Sequence, residues 1–95
     1  MKVVFHLAGY LTAHANSLNA ISFEVRSGAT LREAFAGLCE EYPGLYDRVL
    51  DEQGLIRRHV NVFLNGVSVS RTMGLETGMK SDSEIFILPA VSGGA

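Results

Sequence analysis

The C-terminal end of the sequence holds the residues best suited to chemistry, because Gly93 and Gly94 lie within the last six positions. A glycine has no Cβ, so two in a row let the backbone enter a narrow channel and leave a carbonyl carbon open to attack. Pro89 has a fixed φ and would direct the segment that follows it. Residues 90–95, fully extended, reach up to about 20 Å. The sequence therefore predicts an arm that inserts into a partner's site, although glycine-rich ends are also common as frayed termini.

The other reactive residue types give no comparable pattern. Cys39 is the single cysteine, so it cannot form an internal disulfide or supply a four-thiolate metal site. It falls on an apolar helical stripe, where a buried structural residue is expected. His6, His14 and His59 lie on different elements without the spacing of metal ligands, and we expect no metal site. No Ser/His/Asp arrangement is present, so we expect a protein that is not itself an enzyme.

The composition is that of one small domain. The 95 residues are 47% apolar and 19% charged, with a net charge of −2, which fits a globular chain and not a disordered one. A net negative charge without a basic cluster argues against a nucleic-acid partner. No run approaches the ~18 apolar residues of a membrane span, and the N-terminus lacks the features of a signal peptide. We expect a cytoplasmic domain with no membrane partner.

One helix is strongly predicted in the first half of the chain. Thr30 and Glu33 form a capping box at its start. The apolar residues that follow repeat at helical spacing as far as Tyr42. A Pro-Gly pair then ends the helix, and residues 45–50 are expected to add one irregular helical turn.

Alternating apolar residues predict the strands, and an Asn65-Gly66 pair adds the strongest short signal for a hairpin turn. Residues 9–17 and 74–80 lack this alternation and are expected to be irregular connections. The last strand is expected to stop at Pro89. The predicted strands are centred on residues 3–7, 21–25, 60–64, 67–69 and 85–88.

The order β-β-α-β-β-β predicts an α+β fold in which a mixed sheet packs on one main helix. This is the β-grasp arrangement of ubiquitin-like proteins. A ferredoxin-like fold is the alternative, but it needs two comparable helices. Residues 1–89 are assigned to the β-grasp domain and residues 90–95 to an extended, flexible C-terminal Gly-Gly tail.

Three segments resemble the MoaD/ThiS-type ubiquitin-like sulfur carrier proteins, and the last is the most specific. They are residues 59–66 (HVNVFLNG), 74–77 (GLET) and 83–94 (SEIFILPAVSGG). The capped helix fits the family more loosely, so the resemblance spans nearly the whole chain. In that family an E1-like adenylyltransferase adenylates the terminal glycine carboxylate, which is converted to a thiocarboxylate. The sulfur then passes to a small-molecule acceptor.

The resemblance implies that Gly94 carries the sulfur. Pro89, Val91, Ser92 and Gly93 would form the segment that inserts into partner enzymes. The chain has no G-x-x-x-x-G-K-[ST] loop to hold ATP. It is therefore expected to bind no cofactor, while separate enzymes use ATP and a sulfur donor. The implied partners are an E1-like adenylyltransferase and a sulfur-accepting synthase.

Ala95 departs from the family pattern, which usually ends on the second glycine. It could belong to a precursor that a peptidase trims, be a cloning remnant, or mark a carrier that works through a different end. Some carriers of this family are matured by a JAMM-type metalloprotease, and this interpretation is favoured. It points to sulfur delivery in amino acid, thiamin-like or secondary metabolite synthesis, with a molybdopterin synthase small subunit as an alternative.

The alternation also predicts a surface for partners. If the alternate apolar residues of the last strands face the helix, then Phe63, Phe86 and Leu88 face outward and lie together. Those inward residues are Val60, Val62, Leu64, Ile85 and Ile87. His6 would flank the cluster if the first strand is the other neighbour of the last one. Such an apolar cluster near the tail is expected to bind a partner, unless a loop covers it. Arg58 is predicted to contact an acidic partner. A ubiquitin-like modifier, whose tail forms an amide with a lysine, is the other function left open.

Overall fold

The computed structural model describes residues 1–89 as a five-stranded sheet with a helix packed across one face. The strands are β1 (Lys2–Leu7), β2 (Ala20–Glu24), β3 (Val60–Leu64), β4 (Val67–Ser68) and β5 (Ser83–Pro89). The α-helices of the described residues are α1 (Leu31–Glu41) and α2 (Gly44–Val49), and the 3₁₀ helices are Gly9–His14, Val69–Arg71 and Gly74–Glu76.

The strand order is β2-β1-β5-β3-β4. β1 and β5 pair in parallel, and the other pairs are antiparallel. The last strand along the chain therefore lies in the centre of the sheet, with a neighbour on each side. This mixed sheet on one main helix is the predicted β-grasp topology. The ferredoxin-like alternative is wrong for the described residues, because α2 has only six residues and does not match α1.

α1 begins where the sequence predicts, because its capping box forms. The Thr30 hydroxyl accepts from the Glu33 N–H at 3.2 Å, and the Glu33 carboxylate accepts from the Thr30 N–H at 3.4 Å. Arg26 adds two hydrogen bonds to the same carboxylate, at 2.6 and 2.9 Å. These bonds from Arg26, and then the one from Thr30, hold the pKa of Glu33 below its ordinary value. The cap fixes the first turn, so the apolar stripe of α1 faces the sheet.

The core lies between α1 and the inner face of the sheet. Phe5 is fully buried in β1, stacked on Phe23 with ring centroids 5.8 Å apart and tilted against Phe35 at 6.3 Å. The inward residues of the three central strands are buried as the alternation predicts: Val3, Phe5, Leu7, Val60, Val62, Ile85 and Ile87. Aromatic packing of this kind adds to the free energy gained by burying apolar area.

The hairpin between β3 and β4 is confirmed. Asn65 and Gly66 both have positive φ, at 50° and 88°, as a type I′ turn requires. β4 is only two residues long, and the chain then turns into the 3₁₀ helix Val69–Arg71. The far half of β3 therefore extends beyond the end of its hairpin partner.

Two predicted connections contain buried structure. Residues 9–17 include the 3₁₀ helix Gly9–His14, and Leu11 and Ala15 are completely buried. Residues 74–80 include a further 3₁₀ helix, and Met79 is buried. The last strand runs from Ser83 to Pro89, with Pro89 opposite Val60. Short 3₁₀ turns leave no long sequence period, so only their packing on the core defines them.

Candidate functional site

The outer face of the sheet brings together the aromatic residues that the alternation predicts. Phe86 lies on the central strand β5, with His6 opposite it on β1 and Phe63 opposite it on β3. The His6 imidazole stacks on the Phe86 ring, with centroids 4.3 Å apart and planes 11° from parallel. We call His6, Phe63, Phe86 and Leu88 the outer-face patch; all four are partly exposed.

A carboxylate at the border of the patch holds the imidazole in place. His6 Nε2 lies 2.7 Å from Oε1 of Glu84, which is two residues before Phe86 on the same strand and the same face. The ring is thus fixed by stacking on one side and by a hydrogen bond at its edge. Glu84 was absent from the predicted contact residues, although its spacing from Phe86 placed it on this face.

The hairpin turn is tied to the same strand. Asn65 donates its backbone N–H to the Glu84 carbonyl at 2.9 Å, and its side-chain oxygen accepts from the Glu84 N–H, also at 2.9 Å. These two bonds fix the backbone at Glu84. The side chain of Glu84 is therefore presented to His6 from a rigid part of the sheet.

The predicted arm starts at the end of the central strand. Leu88 lies opposite Asn61, and Pro89 opposite Val60, so β3 supports the last residues before the arm. Gly9 packs against the proline ring: a Cβ at that position would lie 3.0 Å from Pro89 Cγ, and its φ of 62° also favours glycine. Gly9 therefore lets the chain after β1 hold Pro89 closely.

The residues assigned to sulfur transfer and insertion lie outside the described residues. These are Val91, Ser92, Gly93, Gly94 and Ala95, and their assigned roles stay predictions. Pro89 is the only member of the predicted inserting segment that the structure describes, and it is placed at the root of the arm.

Residues 12–94 match the ThiS family. The chain belongs to this family. The match ends at Gly94, one residue before Ala95, so it includes both predicted functional glycines. The predicted membership is confirmed by the sequence match, which covers most of the chain.

The relatives of this ThiS-family protein include a sulfur carrier protein and a small archaeal modifier protein. The chain is 31% identical to sulfur carrier protein CysO of Mycobacterium tuberculosis, over 99% of this chain and 100% of that protein. It is 33% identical to small archaeal modifier protein 3 of Haloferax volcanii, over 79% of this chain and 80% of that protein. Both are similar along most of their length.

Solved structures confirm the β-grasp fold. The crystal structure of small archaeal modifier protein 1 from Haloferax volcanii matches with a TM-score of 0.83 and 27% identity, covering 98% of this chain and 99% of that one. A chain of the BexX/CysO complex from Amycolatopsis orientalis matches with a TM-score of 0.82 and 26% identity, covering 96% and 98%.

Arg58 lines a groove to which the outer-face patch does not contribute. Its side chain is exposed and lines a groove at the edge of β3, together with Arg57 and Arg32. None of the four patch residues lines this groove. Of the predicted contact residues, Arg58 therefore belongs to the groove, and the other four belong to the patch.

The surroundings of the remaining reactive side chains of this ThiS-family protein fit a structural role. Cys39 is half-buried on α1, and burial raises the pKa of its thiol to about 11, so it is protonated at neutral pH. His14 accepts a hydrogen bond from Arg48 at 3.1 Å. Residues 1–89 contain no group of three His, Cys, Asp or Glu side chains placed to hold a metal ion. No helix among them is long and apolar enough to cross a membrane.

Proposed function

We propose that this ThiS-family protein is a sulfur carrier whose Gly94 carboxylate is adenylated and then converted to a thiocarboxylate. The observation that carries the proposal is the family match through Gly93 and Gly94. The similarity to sulfur carrier protein CysO over the whole of that protein supports it. The chain acts as a protein cosubstrate in the cytoplasm, and separate enzymes supply the catalysis.

The chemistry needs activation because a carboxylate is a charged, poor electrophile at neutral pH. A carboxylate oxygen of Gly94 attacks the α-phosphorus of ATP, and pyrophosphate leaves. A sulfide sulfur then attacks the acyl carbon, and AMP leaves with the carboxylate oxygen, which gives the thiocarboxylate. Since the chain lacks a phosphate-binding P-loop sequence, an E1-like adenylyltransferase binds the ATP and receives the sulfur donor.

The body of the protein positions the arm for these enzymes. The outer-face patch supplies apolar area for docking, and the Phe86 ring at its centre is held by His6. Pro89, held by Gly9 and β3, starts the arm from a rigid strand. When a partner enzyme binds the patch, the arm would lie beside the active site of that enzyme. A sulfur-accepting synthase in amino acid, thiamin-like or secondary metabolite synthesis then takes the sulfur.

Ala95 must be removed before Gly94 can react. We propose that a JAMM-type metalloprotease hydrolyses the Gly94–Ala95 amide, which adds water and frees the Gly94 carboxylate. Cleavage there would leave a chain that ends at the last residue of the family match. Glycine at this position has no side chain to obstruct either the protease or the adenylating enzyme.

Intact-mass spectrometry tests the proposal. The chain is incubated with an E1-like enzyme, a JAMM-type metalloprotease, ATP and sulfide. The expected product has lost one alanine residue and has exchanged one oxygen for sulfur. A chain that ends at Gly94 should make the exchange without the protease.

Matched variants of the chain ending at Gly94 complete the experiment. Gly94→Val should block the exchange, because its side chain fills the channel that glycine passes. Glu52→Gln, on an exposed loop far from the arm along the chain, should react as the parent does. Failure of the chain ending at Gly94, in a mixture that thiocarboxylates another carrier, would contradict the proposal.

A modifier function is the second candidate, and the similarity to small archaeal modifier protein 3 favours it. In that case a lysine amine attacks the acyl carbon of the Gly94 adenylate, an amide forms, and AMP leaves, with the proton lost by the amine taken up by solvent. The same reaction mixture, with cell protein added, separates the two. Amide conjugates on other proteins indicate the modifier, and a thiocarboxylate without conjugates indicates the carrier.

A further inference from the structure

A groove of about 460 Å³ runs along the edge of β3 that faces away from β5. Its walls are the loop of residues 55–58, the two 3₁₀ helices after β4 and the side chain of Arg32. We call it the β3 groove. Its floor is the half of β3 that β4 does not reach.

Strand pairing shows which backbone groups face the groove. β4 lies opposite only the last two residues of β3. Asn65 donates to the Glu84 carbonyl at 2.9 Å, across the β3–β5 ladder. Hydrogen-bonded pairs alternate along an antiparallel ladder, so Val62 and Val60 direct their N–H and C=O groups away from β5.

The chain after β4 does not complete this edge. Continuing β4 would bring the Val69 carbonyl to the Val62 N–H, but that carbonyl accepts instead from the N–H and hydroxyl of Thr72, both at 3.1 Å. Val60 donates its own N–H to the Arg57 carbonyl at 3.0 Å. The edge therefore offers the Val62 N–H and the Val60 C=O. One residue of an added parallel strand would form hydrogen bonds with both groups, donating to the Val60 C=O and accepting from the Val62 N–H.

The charge of the groove is opposite to that of the whole protein. Three arginines (Arg32, Arg57 and Arg58) and one glutamate (Glu76) line it, giving +2 in a chain whose net charge is −2. The Glu76 carboxylate accepts a hydrogen bond from Arg32 Nε at 2.7 Å. Arg57 donates its Nε–H to the backbone carbonyl of Asp47 at 2.8 Å. Arg58 is exposed. A carboxylate on an occupant would therefore meet Arg57 and Arg58.

The rim of the groove is apolar. Met73 is 72% exposed and Leu55 is 54% exposed, the two largest exposures among the large apolar residues described. An extended peptide places alternate side chains on opposite sides. A segment that alternates acidic and apolar residues would set its carboxylates toward the arginines and its apolar side chains against this rim.

We propose that the β3 groove binds an extended acidic segment of a partner protein, as a short strand parallel to β3. The backbone of the segment forms hydrogen bonds with the Val60 C=O and the Val62 N–H. Its carboxylates pair with Arg57 and Arg58, and its apolar side chains cover Met73. Because Val60 lies opposite Pro89, the bound segment runs about 10 Å from the root of the arm. The surface requires no sulfur chemistry, so its test is independent of the proposed function.

The test uses a capped synthetic peptide, Glu-Leu-Asp-Val-Glu-Leu-Asp, titrated into the full chain and followed by amide NMR. The largest shift changes are expected at Val60 to Val62 and at Met73, together with slower hydrogen exchange of the Val62 amide. A peptide with lysine in place of every acidic residue should cause none of these changes. Arg58→Glu should weaken binding about tenfold, because it reverses a charge at the contact.

Lys80→Glu is the matched control, since Lys80 is exposed and outside the groove; it makes the same change in net charge and should bind as the parent. If both variants weaken binding equally, the effect comes from the net charge of the protein, and the proposal is overturned. Shift changes located elsewhere would also overturn it. Chemical-shift changes in the groove that depend on protein concentration alone would indicate that a second copy of the chain binds there, and would overturn the proposal. Changes in the groove that appear when residues 90–95 are deleted would indicate that the arm occupies it, and would overturn the proposal too.

Discussion

Ile85 and Phe86 are neighbours in the central strand, but they face opposite sides of the sheet. Ile85 is 0% exposed beneath α1. Phe86 is partly exposed on the outer face, where it contacts the His6 ring. The inner face is covered by a helix of this chain, whereas His6, Phe63, Phe86 and Leu88 on the outer face remain partly exposed. The same strand thus stabilises the domain with one set of side chains and offers the other set to a partner.

The difference between the faces separates stability from docking. A small domain has about 5–10 kcal/mol of net stability, which here depends on the inner face. Apolar side chains on the outer face contribute less to this total, because part of their area stays in water. Substitutions at adjacent positions of β5 should therefore have different consequences, and the same lysine at each gives the sharpest contrast.

Ile85→Lys should prevent folding. It puts a charge into the apolar layer under α1, where Ser83 is the one buried polar residue among residues 1–89, and the penalty is about 5 kcal/mol or more. This is comparable to the whole stability of the domain. Amide NMR spectra of the variant should show the narrow dispersion of an unfolded chain. A dispersed spectrum with an unchanged urea midpoint would contradict the assignment of the inner face.

Phe86→Lys should fold and lose its partner. The lysine stem can lie along the sheet with its ammonium in water, so the expected loss of stability is about 1–2 kcal/mol, by urea unfolding. Thiocarboxylate formation with the E1-like enzyme should fall steeply, because a charge then stands at the centre of the outer-face patch. Lys80→Glu serves as a folded surface control, and normal transfer by Phe86→Lys would show that docking does not use this patch.

The two faces also differ in how far the sequence predicts them. Alternation along each strand is a local pattern, so it assigns both Ile85 and Phe86 to their faces. The contact between His6 and Glu84 joins residues 78 positions apart and depends on the parallel pairing of β1 with β5. No local pattern specifies that register. The contact of Glu84 with His6 was therefore missed, although alternation along β5 places Glu84 on the same face as Phe86.

Tertiary packing explains the other differences. Leu11 lies among glycine, asparagine and serine residues that indicate a loop, yet its side chain fills the core. Arg58 follows a loop whose path is set by the bridge between Leu50 and Ile56, so its place in the β3 groove could not be inferred. The capping box of α1 was predictable because it involves residues only three positions apart.

Thr30→Ala tests how firmly α1 covers the inner face. The variant removes the hydroxyl that accepts from the Glu33 N–H and should lower the free energy of unfolding by about 1 kcal/mol. Thr30→Ser keeps the acceptor and should lie close to the parent. Docking of partners on the outer face should be unchanged in both variants. A loss of docking that matches the loss of stability would mean that the two faces are not independent.

The smallest effect at neutral pH concerns Cys39, at the margin of the inner layer. Burial raises the pKa of its thiol from 9.0 to about 11, so the folded chain keeps this proton at a pH where the unfolded chain has lost it. The contribution to stability is therefore fully present below pH 9 and declines as the pH rises through 11. Urea unfolding at pH 8 and at pH 10.5 should show a larger loss for the parent than for Cys39→Ala, because other groups titrate alike in both. Equal losses would mean that the thiol is more exposed than its place beside the core implies.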